Sequence, residues 1–100
     1  MDLYAILRRR AWQTPEELGE ADGRSRGARE KPGAGLRHVR SYVLGEQDGS
    51  LGTICFYLAE SPDAILRHAR AADLPADEVV KVDGVFVSEP DPEPAGQGQG

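Results

Sequence analysis

Four stretches of this chain, residues 2–9, 36–44, 52–59 and 79–88, are predicted to be β-strands. A period of two is clear in the last three, which are rich in Val, Ile, Tyr and Phe, and the first has Leu3, Ala5 and Leu7 on one face. Between the second and third stretches, Asp48-Gly49 favours a tight turn, which predicts that these two strands form an antiparallel hairpin.

Two segments carry helix-start signals, in which a Ser or Thr N-cap is followed by Pro and an acidic residue. Ser61-Pro62-Asp63 predicts a helix that runs to about Asp73 and buries a stripe of small and aliphatic residues. Thr14-Pro15-Glu16-Glu17 predicts another helix within residues 14–31. Three glycines interrupt this segment, and each costs about 1 kcal/mol relative to Ala, so the first helix is expected to be the less stable one.

The resulting order of strand, helix, strand, strand, helix, strand predicts an α+β fold of the ferredoxin-like βαββαβ type. Right-handed crossovers place both helices on one face of a four-stranded antiparallel sheet, with strands in the spatial order 4-1-3-2. Residues 1–89 are predicted to form this domain. The tail, residues 90–100, alternates Pro with Gly and lacks large apolar side chains, so it is predicted to be disordered.

Alternation also assigns side chains to the two sheet faces, because neighbours along a strand point to opposite sides. The residues expected under the helices are Ile54, Phe56 and Leu58 on the third strand and Val39, Ser41 and Val43 on the second. The residues expected on the open face are Tyr4, Ile6, His38, Tyr42, Cys55 and Tyr57. Such an apolar face is expected to be buried by a ligand or a second copy, and the predicted homodimer interface includes Tyr42 and Tyr57.

Charge and composition narrow the class of partner. The chain has 100 residues, a net charge of -5 and a single basic cluster at residues 8–10, so nucleic acid is not expected as a partner. No apolar run approaches the roughly 18 residues of a membrane span, and no charged-then-apolar leader opens the chain. We therefore expect a cytoplasmic protein with no membrane partner. As the only cysteine, Cys55 cannot form an internal disulfide.

Several short motifs follow one another between residues 36 and 83. They are Ser41-Tyr42-Val43, Cys55-Phe56-Tyr57-Leu58-Ala59, Ser61-Pro62, His68-Ala69, and Leu74-Pro75 with Val79. In this order the region resembles a small bacterial domain-of-unknown-function family with a nickel-binding ferredoxin-like member. The resemblance implies a ferredoxin-like dimer and divalent nickel, Ni²⁺, as a ligand. This sequence has His38 where the family typically carries Trp, and its first helix is more broken by glycine.

Imidazole and thiolate are the donors that hold nickel, copper or zinc. The candidate metal ligands are His38, Cys55, His68 and, more weakly, Glu60. Strand pairing is expected to bring His38 near Cys55 on the open face, with His68 on the opposite side, which predicts two separate sites completed by water or by a partner chain. The alternatives are a partly exposed helical histidine for His68 and a small apolar interface residue for Cys55.

Two other functions fit the same fold, namely a cofactor-free monooxygenase-like enzyme and a non-catalytic dimerisation module. A Cys55–His38 dyad is a conceivable nucleophile pair, but no glycine-rich phosphate loop or oxyanion-hole loop accompanies it. No catalytic residue is therefore predicted. The sequence favours a small dimeric protein that binds a divalent transition metal, without an assigned reaction.

Overall fold

A computed structural model describes residues 1–91 of the chain. The six elements are β1 (Asp2–Trp12), α1 (Pro15–Arg29), β2 (Leu36–Gly45), β3 (Leu51–Ala59), α2 (Pro62–Ala71) and β4 (Glu78–Lys81). Their order confirms the predicted ferredoxin-like α+β fold. Most of the tail that was predicted to be disordered, residues 92–100, lies outside the described residues. Neither helix within residues 1–91 is long and apolar enough to cross a membrane.

The strands form one antiparallel sheet in the order β2-β3-β1-β4, which is the predicted order read from the opposite edge. At the centre of the sheet Tyr4 pairs with Tyr57 and Arg8 pairs with Thr53. The register of β1 against β3 then shifts between Arg8 and Trp12. The Glu46 carboxylate holds this irregular stretch, because it accepts a hydrogen bond of 2.9 Å from the backbone N–H of Arg10.

Both helices begin at their predicted N-caps. The Thr14 hydroxyl accepts a hydrogen bond from the Glu17 N–H at 3.1 Å, and the Ser61 hydroxyl accepts one from the Ala64 N–H at 3.2 Å. The two helices differ in how much they bury. Only Ala21 and Ser25 are buried in α1, whereas α2, although shorter, buries four residues: Ala64, Ile65, His68 and Ala69.

The prediction of which sheet face lies under the helices is wrong for β1 and β3. The buried core contains Tyr4, Ile6, Leu36, Cys55, Tyr57, Ala59 and Ile65. Tyr4, Ile6, Cys55 and Tyr57 therefore lie on the face that the helices cover, called here the covered face. Alternation determines which residues share a face, but both sets on β3 are apolar, so side-chain polarity alone does not choose between them.

The second strand follows the prediction only in part. Ser41 and Val43 line a cavity on the covered face, as expected, and Tyr42 lies on the open face against Phe56, with ring centroids 6.1 Å apart. A register shift between His38 and Arg40 reverses the remaining assignments. His38 consequently lies on the covered face. Val39 is 50% exposed and lines a groove on the open face.

The fourth strand is shorter than the predicted 79–88. It pairs antiparallel with β1, and its last ladder contact is the Val82 N–H donating to the Leu3 carbonyl at 2.9 Å. Because β1 begins at Asp2, residues beyond 83 run past its end and have no strand to pair with. The apolar residues 85–87 are exposed as a result, Phe86 fully. The chain then reaches Asp91, whose carboxylate accepts hydrogen bonds from Arg40 and Tyr42.

Candidate functional site

A cavity of about 270 Å³ lies on the covered face, between the sheet and α1. Its walls are mainly apolar and include Trp12, Leu18, Val43, Cys55, Tyr57 and Leu74. The cavity exists because α1 contributes few large side chains: Gly19 and Ala21 face it where a bulkier residue would fill it. The poor apolar stripe of the first helix thus leaves room for a ligand.

Tyr57, which lines this cavity, forms the centre of a row of polar rings. Its ring centroid lies 5.3 Å from that of His38 on one side and 5.7 Å from that of His68 on the other. Ser25 of α1 links the row to the helix, since its Oγ lies 3.3 Å from Tyr57 Oη and 3.0 Å from His68 Nε2. The Arg29 guanidinium donates to the same Oγ at 2.8 Å.

Both imidazoles of this row are neutral at neutral pH. Burial, aided by the positive charges of Arg29 and Arg8, lowers the pKa of His68 to about 4. Partial burial is also the largest cause that lowers the pKa of His38 below its ordinary value, and Arg29 acts in the same direction. Neutral imidazole is the form that ligates metals, yet the surrounding arginines also oppose a divalent cation.

The structure brings together more of the predicted metal ligands than expected, although they form no complete site. His38 and Cys55 line the same cavity, and His68 contacts Tyr57 from the same side of the sheet. The expectation that His68 lies opposite the other two is therefore wrong, for the same reason as the face assignment. Within residues 1–91, no three His, Cys, Asp or Glu side chains are grouped so that they could hold a metal ion.

The remaining predicted residues lie apart from this cluster or have a different setting. Glu60 is exposed after the end of β3 and packs beside Gly35. Tyr57 is only 2% exposed, so it belongs to the core of one chain rather than to the open face. Tyr42 does lie on the open face and is 39% exposed. Its place in a dimer interface stays a prediction that this position supports.

Sequence reasoning missed two polar residues of the covered face, Arg8 and Thr53. Arg8 is 2% exposed, and its Nε donates to the Pro75 carbonyl at 2.7 Å. Its Nη2 and the Thr53 Oγ1 are buried without a hydrogen-bond partner in the described part of the chain. The signal was available, because Arg8 continues the alternation of Tyr4 and Ile6, but sequence reasoning treats the three consecutive arginines only as one basic cluster.

Comparison with known proteins connects this architecture to a family. The family model described as nickel responsive protein SCO4226-like matches residues 4–82. The chain belongs to this SCO4226-like family. The resemblance to a small bacterial family with a nickel-associated member, carried by motifs within residues 36–83, is confirmed, and the match extends it over β1 and α1. Among curated proteins, none matches the chain.

Solved structures support the fold. The crystal structure of SCO4226 from Streptomyces coelicolor A3(2) superimposes with a TM-score of 0.65 at 16% identity, covering 84% of this chain and 99% of that one. Rv0793 from Mycobacterium tuberculosis matches at 13% identity over 89% of this chain and 100% of its own, with a TM-score of 0.42. The second value is too low to support an argument. The first supports the ferredoxin-like fold of this SCO4226-like chain.

Proposed function

We propose that this protein is a homodimer that binds a divalent transition metal, with nickel as the first candidate. The observation that carries the metal proposal is the placement of two soft or borderline donors, His38 and Cys55, on one cavity. His38 is the better ligand of the two, because its ring is exposed and its lowered pKa leaves it neutral at pH 7. The description of the family as nickel responsive supports the choice of metal.

The donor types of this chain fit nickel, but their number does not complete a site. A bound ion would need further donors from water or from a second chain, in addition to His38 and Cys55. His68 is a poorer ligand, since Arg29 and Arg8 make its surroundings positive. A thiol must also lose its proton to bind a metal, and Cys55 is buried. The proposed binding is therefore weak in a single chain and stronger in the dimer.

The open face supports the dimer. Its large side chains include Val39, Tyr42 and Phe56, and the exposed apolar residues 85–87 line the same groove, in the segment that runs from β4 to Asp91 beside Tyr42. Apolar patches of this kind mark interaction surfaces. A second copy is the occupant that we propose, because a two-fold contact would cover both open faces and both exposed Phe86 side chains at once.

Calorimetric titration of tag-free protein with NiCl₂ at pH 7.5 tests the metal proposal. We expect saturable binding that His38→Ala weakens by at least about tenfold, because loss of even the hydrogen-bond partner of a metal ligand costs about 10–100-fold in affinity. Cys55→Ala should weaken it less, and His68→Ala least. Arg37→Ala, an exposed change on the same strand, is the control. An absence of heat below millimolar nickel, or equal affinity in all variants, contradicts the proposal.

Light scattering tests the dimer separately. Tyr42→Glu and Phe86→Asp each place a charge on the proposed interface, so both should give monomers at micromolar concentration. Leu66→Asp is the control, because Leu66 is similarly exposed but lies on α2, on the other side of the molecule. A monomeric wild-type protein contradicts the proposal. Stoichiometric nickel would also distinguish the proposed function from a monooxygenase-like enzyme or a pure dimerisation module.

A further inference from the structure

A buried arginine without a counter-charge lines the cavity between the sheet and α1. Arg8 has one hydrogen bond, from Nε to the Pro75 carbonyl, and its Nη2 has no partner among the described residues. None of the ion pairs within residues 1–91 includes Arg8. A guanidinium remains charged in proteins, and burial of a charge is costly unless it is paired. An anion would supply both the missing hydrogen-bond acceptor and the missing counter-charge.

Thr53 supplies a second unpartnered group beside Arg8. The two residues pair across β1 and β3, so their side chains leave the sheet next to each other on the covered face. Thr53 also lines the cavity, and its Oγ1 is buried without a hydrogen-bond partner in residues 1–91. One charged donor and one neutral donor thus stand together at one wall, and a single carboxylate could accept from both.

The other walls are suited to an apolar body. Trp12, Leu18, Val43 and Leu74 surround the space that Arg8 and Thr53 border. A cavity of about 150 Å³ accommodates benzene, so the 270 Å³ found here fits about ten non-hydrogen atoms.

The charged groups around the cavity agree with an anionic ligand. Asp22 is the carboxylate that lines it, and this side chain is exposed and bonded to Arg26 at 3.0 Å. Arg29 approaches from the same helix and is bonded to Ser25. The buried end of the cavity therefore carries positive charge, while the single negative charge at its rim is paired.

We propose that this cavity binds a small organic monocarboxylate, whose carboxylate accepts hydrogen bonds from Arg8 and Thr53 and whose apolar body packs against Trp12. An inorganic oxyanion could neutralise Arg8 as well, but it would leave the apolar walls without contact. The inference does not rest on the proposed metal binding or on the proposed dimer, because Arg8, Thr53 and Trp12 are neither proposed metal ligands nor residues of the open face.

The fluorescence of Trp12, the only tryptophan of the chain, reports binding directly. Benzoate is the probe, benzamide is its uncharged analogue of the same size, and sodium phosphate is the inorganic anion. We expect benzoate to change the Trp12 emission saturably and to bind at least about tenfold more tightly than benzamide, as charge-assisted hydrogen bonds should provide. Equal affinity for benzamide, or equally tight binding of phosphate, overturns the proposal.

Substitutions identify the groups that hold the carboxylate. Arg8→Met should weaken benzoate binding by about tenfold or more and leave benzamide binding unchanged, since it removes the charge but keeps most of the volume. Thr53→Val should weaken benzoate binding by about threefold to tenfold, as expected for the loss of one hydrogen bond. Arg37→Met, an exposed arginine on β2, is the matched control and should bind benzoate like the wild type.

Thermal unfolding provides a second measurement that needs no fluorescence change. Benzoate should raise the melting temperature of the wild type and of Arg37→Met, because a ligand that binds only the folded state stabilises it. It should have little effect on Arg8→Met. If Arg8→Met does not fold, Arg8→Lys and Thr53→Val replace it, and both should bind benzoate less tightly. Unchanged benzoate affinity in these variants contradicts the assignment.

Discussion

The two faces of the sheet each depart from the usual distribution of polar and apolar side chains. The covered face, which should be the most apolar part of the molecule, holds Arg8, Thr53 and His68 among its buried residues. The open face presents the exposed side chains of Val39 and Tyr42, together with the exposed apolar residues 85–87 of the segment that follows β4. Buried polar groups are costly without hydrogen-bond partners, and large exposed apolar patches mark surfaces that another molecule covers. Each face is therefore incomplete in a different way.

This difference separates two kinds of function. Within residues 1–91, the covered face lacks hydrogen-bond acceptors for its buried donors, and the proposed anionic ligand would supply them. The open face leaves apolar side chains exposed in the same residues, and the proposed second copy would cover them. A metal site at His38 lies at the boundary, because His38 is on the covered face but on the edge strand β2. A second chain that packs on the open face could supply metal-ligating side chains only around the edge of the sheet formed by β2.

The largest expected effect is the loss of stability in Tyr57→Ala. We compare it with Phe56→Ala, because these two neighbours on β3 point to opposite faces. Tyr57 is 2% exposed between His38 and His68, so Tyr57→Ala should cost about 3–5 kcal/mol of the free energy of unfolding, as for other large aromatic deletions. Phe56→Ala should cost about 1–2 kcal/mol, because Phe56 is only half-buried in a single chain.

Urea denaturation at two protein concentrations measures both variants. The cost of Tyr57→Ala should not depend on concentration, since Tyr57 is internal to one chain. The cost of Phe56→Ala should increase with concentration if the open face is covered by a second copy. Equal costs for the two variants in dilute solution would break the distinction between the faces.

Particular residues show how far the sequence alone could predict this arrangement. Ser61 and Thr14 identify both helix starts, because N-capping depends only on the next few residues. The face of Tyr57 could not be predicted, since Ile54, Phe56 and Leu58 are as apolar as the set that the helices cover. Its hydroxyl is accommodated by Ser25, which is distant in sequence and sits in a helix with little apolar character.

The length of β4 depends on another distant feature. Residues 82–88 have the alternation of a strand, but a strand also needs a neighbour, and β1, which runs antiparallel to β4, offers none beyond its first residue, Asp2. The sequence predicted two of the residues that line the candidate site, but it did not predict the face of the sheet on which they lie. His38 and Cys55 do line one cavity, as the hairpin suggested, but on the opposite face. Arg8 was missed because the alternation that buries it beside Tyr4 and Ile6 runs into three consecutive arginines, of which only Arg9 and Arg10 bond to Glu46.

An intermediate effect is the dependence of stability on pH that comes from protonation of His68 on the covered face. The pKa of His68 is about 4 in the folded protein, below its ordinary value of about 6.5. The unfolded chain therefore takes up the proton first on acidification, so the stability that neutral His68 provides is complete above about pH 6.5. It is lost as the pH falls from about 6.5 to about 4.

Melting temperatures at pH 7.5 and pH 5.0 measure this loss, which should be at least about 1 kcal/mol, or about 4–8 °C. His68→Gln keeps a polar group near Ser25 but does not titrate, so it should flatten the dependence over this range. His38→Gln is the control, and it should leave most of the dependence in place. A dependence that is unchanged in His68→Gln would show that other groups of the covered face are responsible.

The smallest expected effect concerns the two helices that cover the sheet. A Cβ added at Gly23 or Gly27 of α1 would meet no atom within 4 Å, so Gly23→Ala and Gly27→Ala should each stabilise the protein by about 0.5–1 kcal/mol through helix propensity. Gly35→Ala is the opposite control and should destabilise the protein, because Gly35 has φ +78° and its Cβ would lie 2.8 Å from Glu60 Oε1.

Amide exchange measures the local stability of the two helices. In the wild type, the amides of residues 16–30 should exchange faster than those of residues 62–72. In the double variant Gly23→Ala/Gly27→Ala, the amides of residues 16–30 should exchange more slowly than they do in the wild type. Equal protection of the two helices in the wild type would mean that α1 is held by more than its few buried residues, and that the cavity beneath it is not bordered by a weak element.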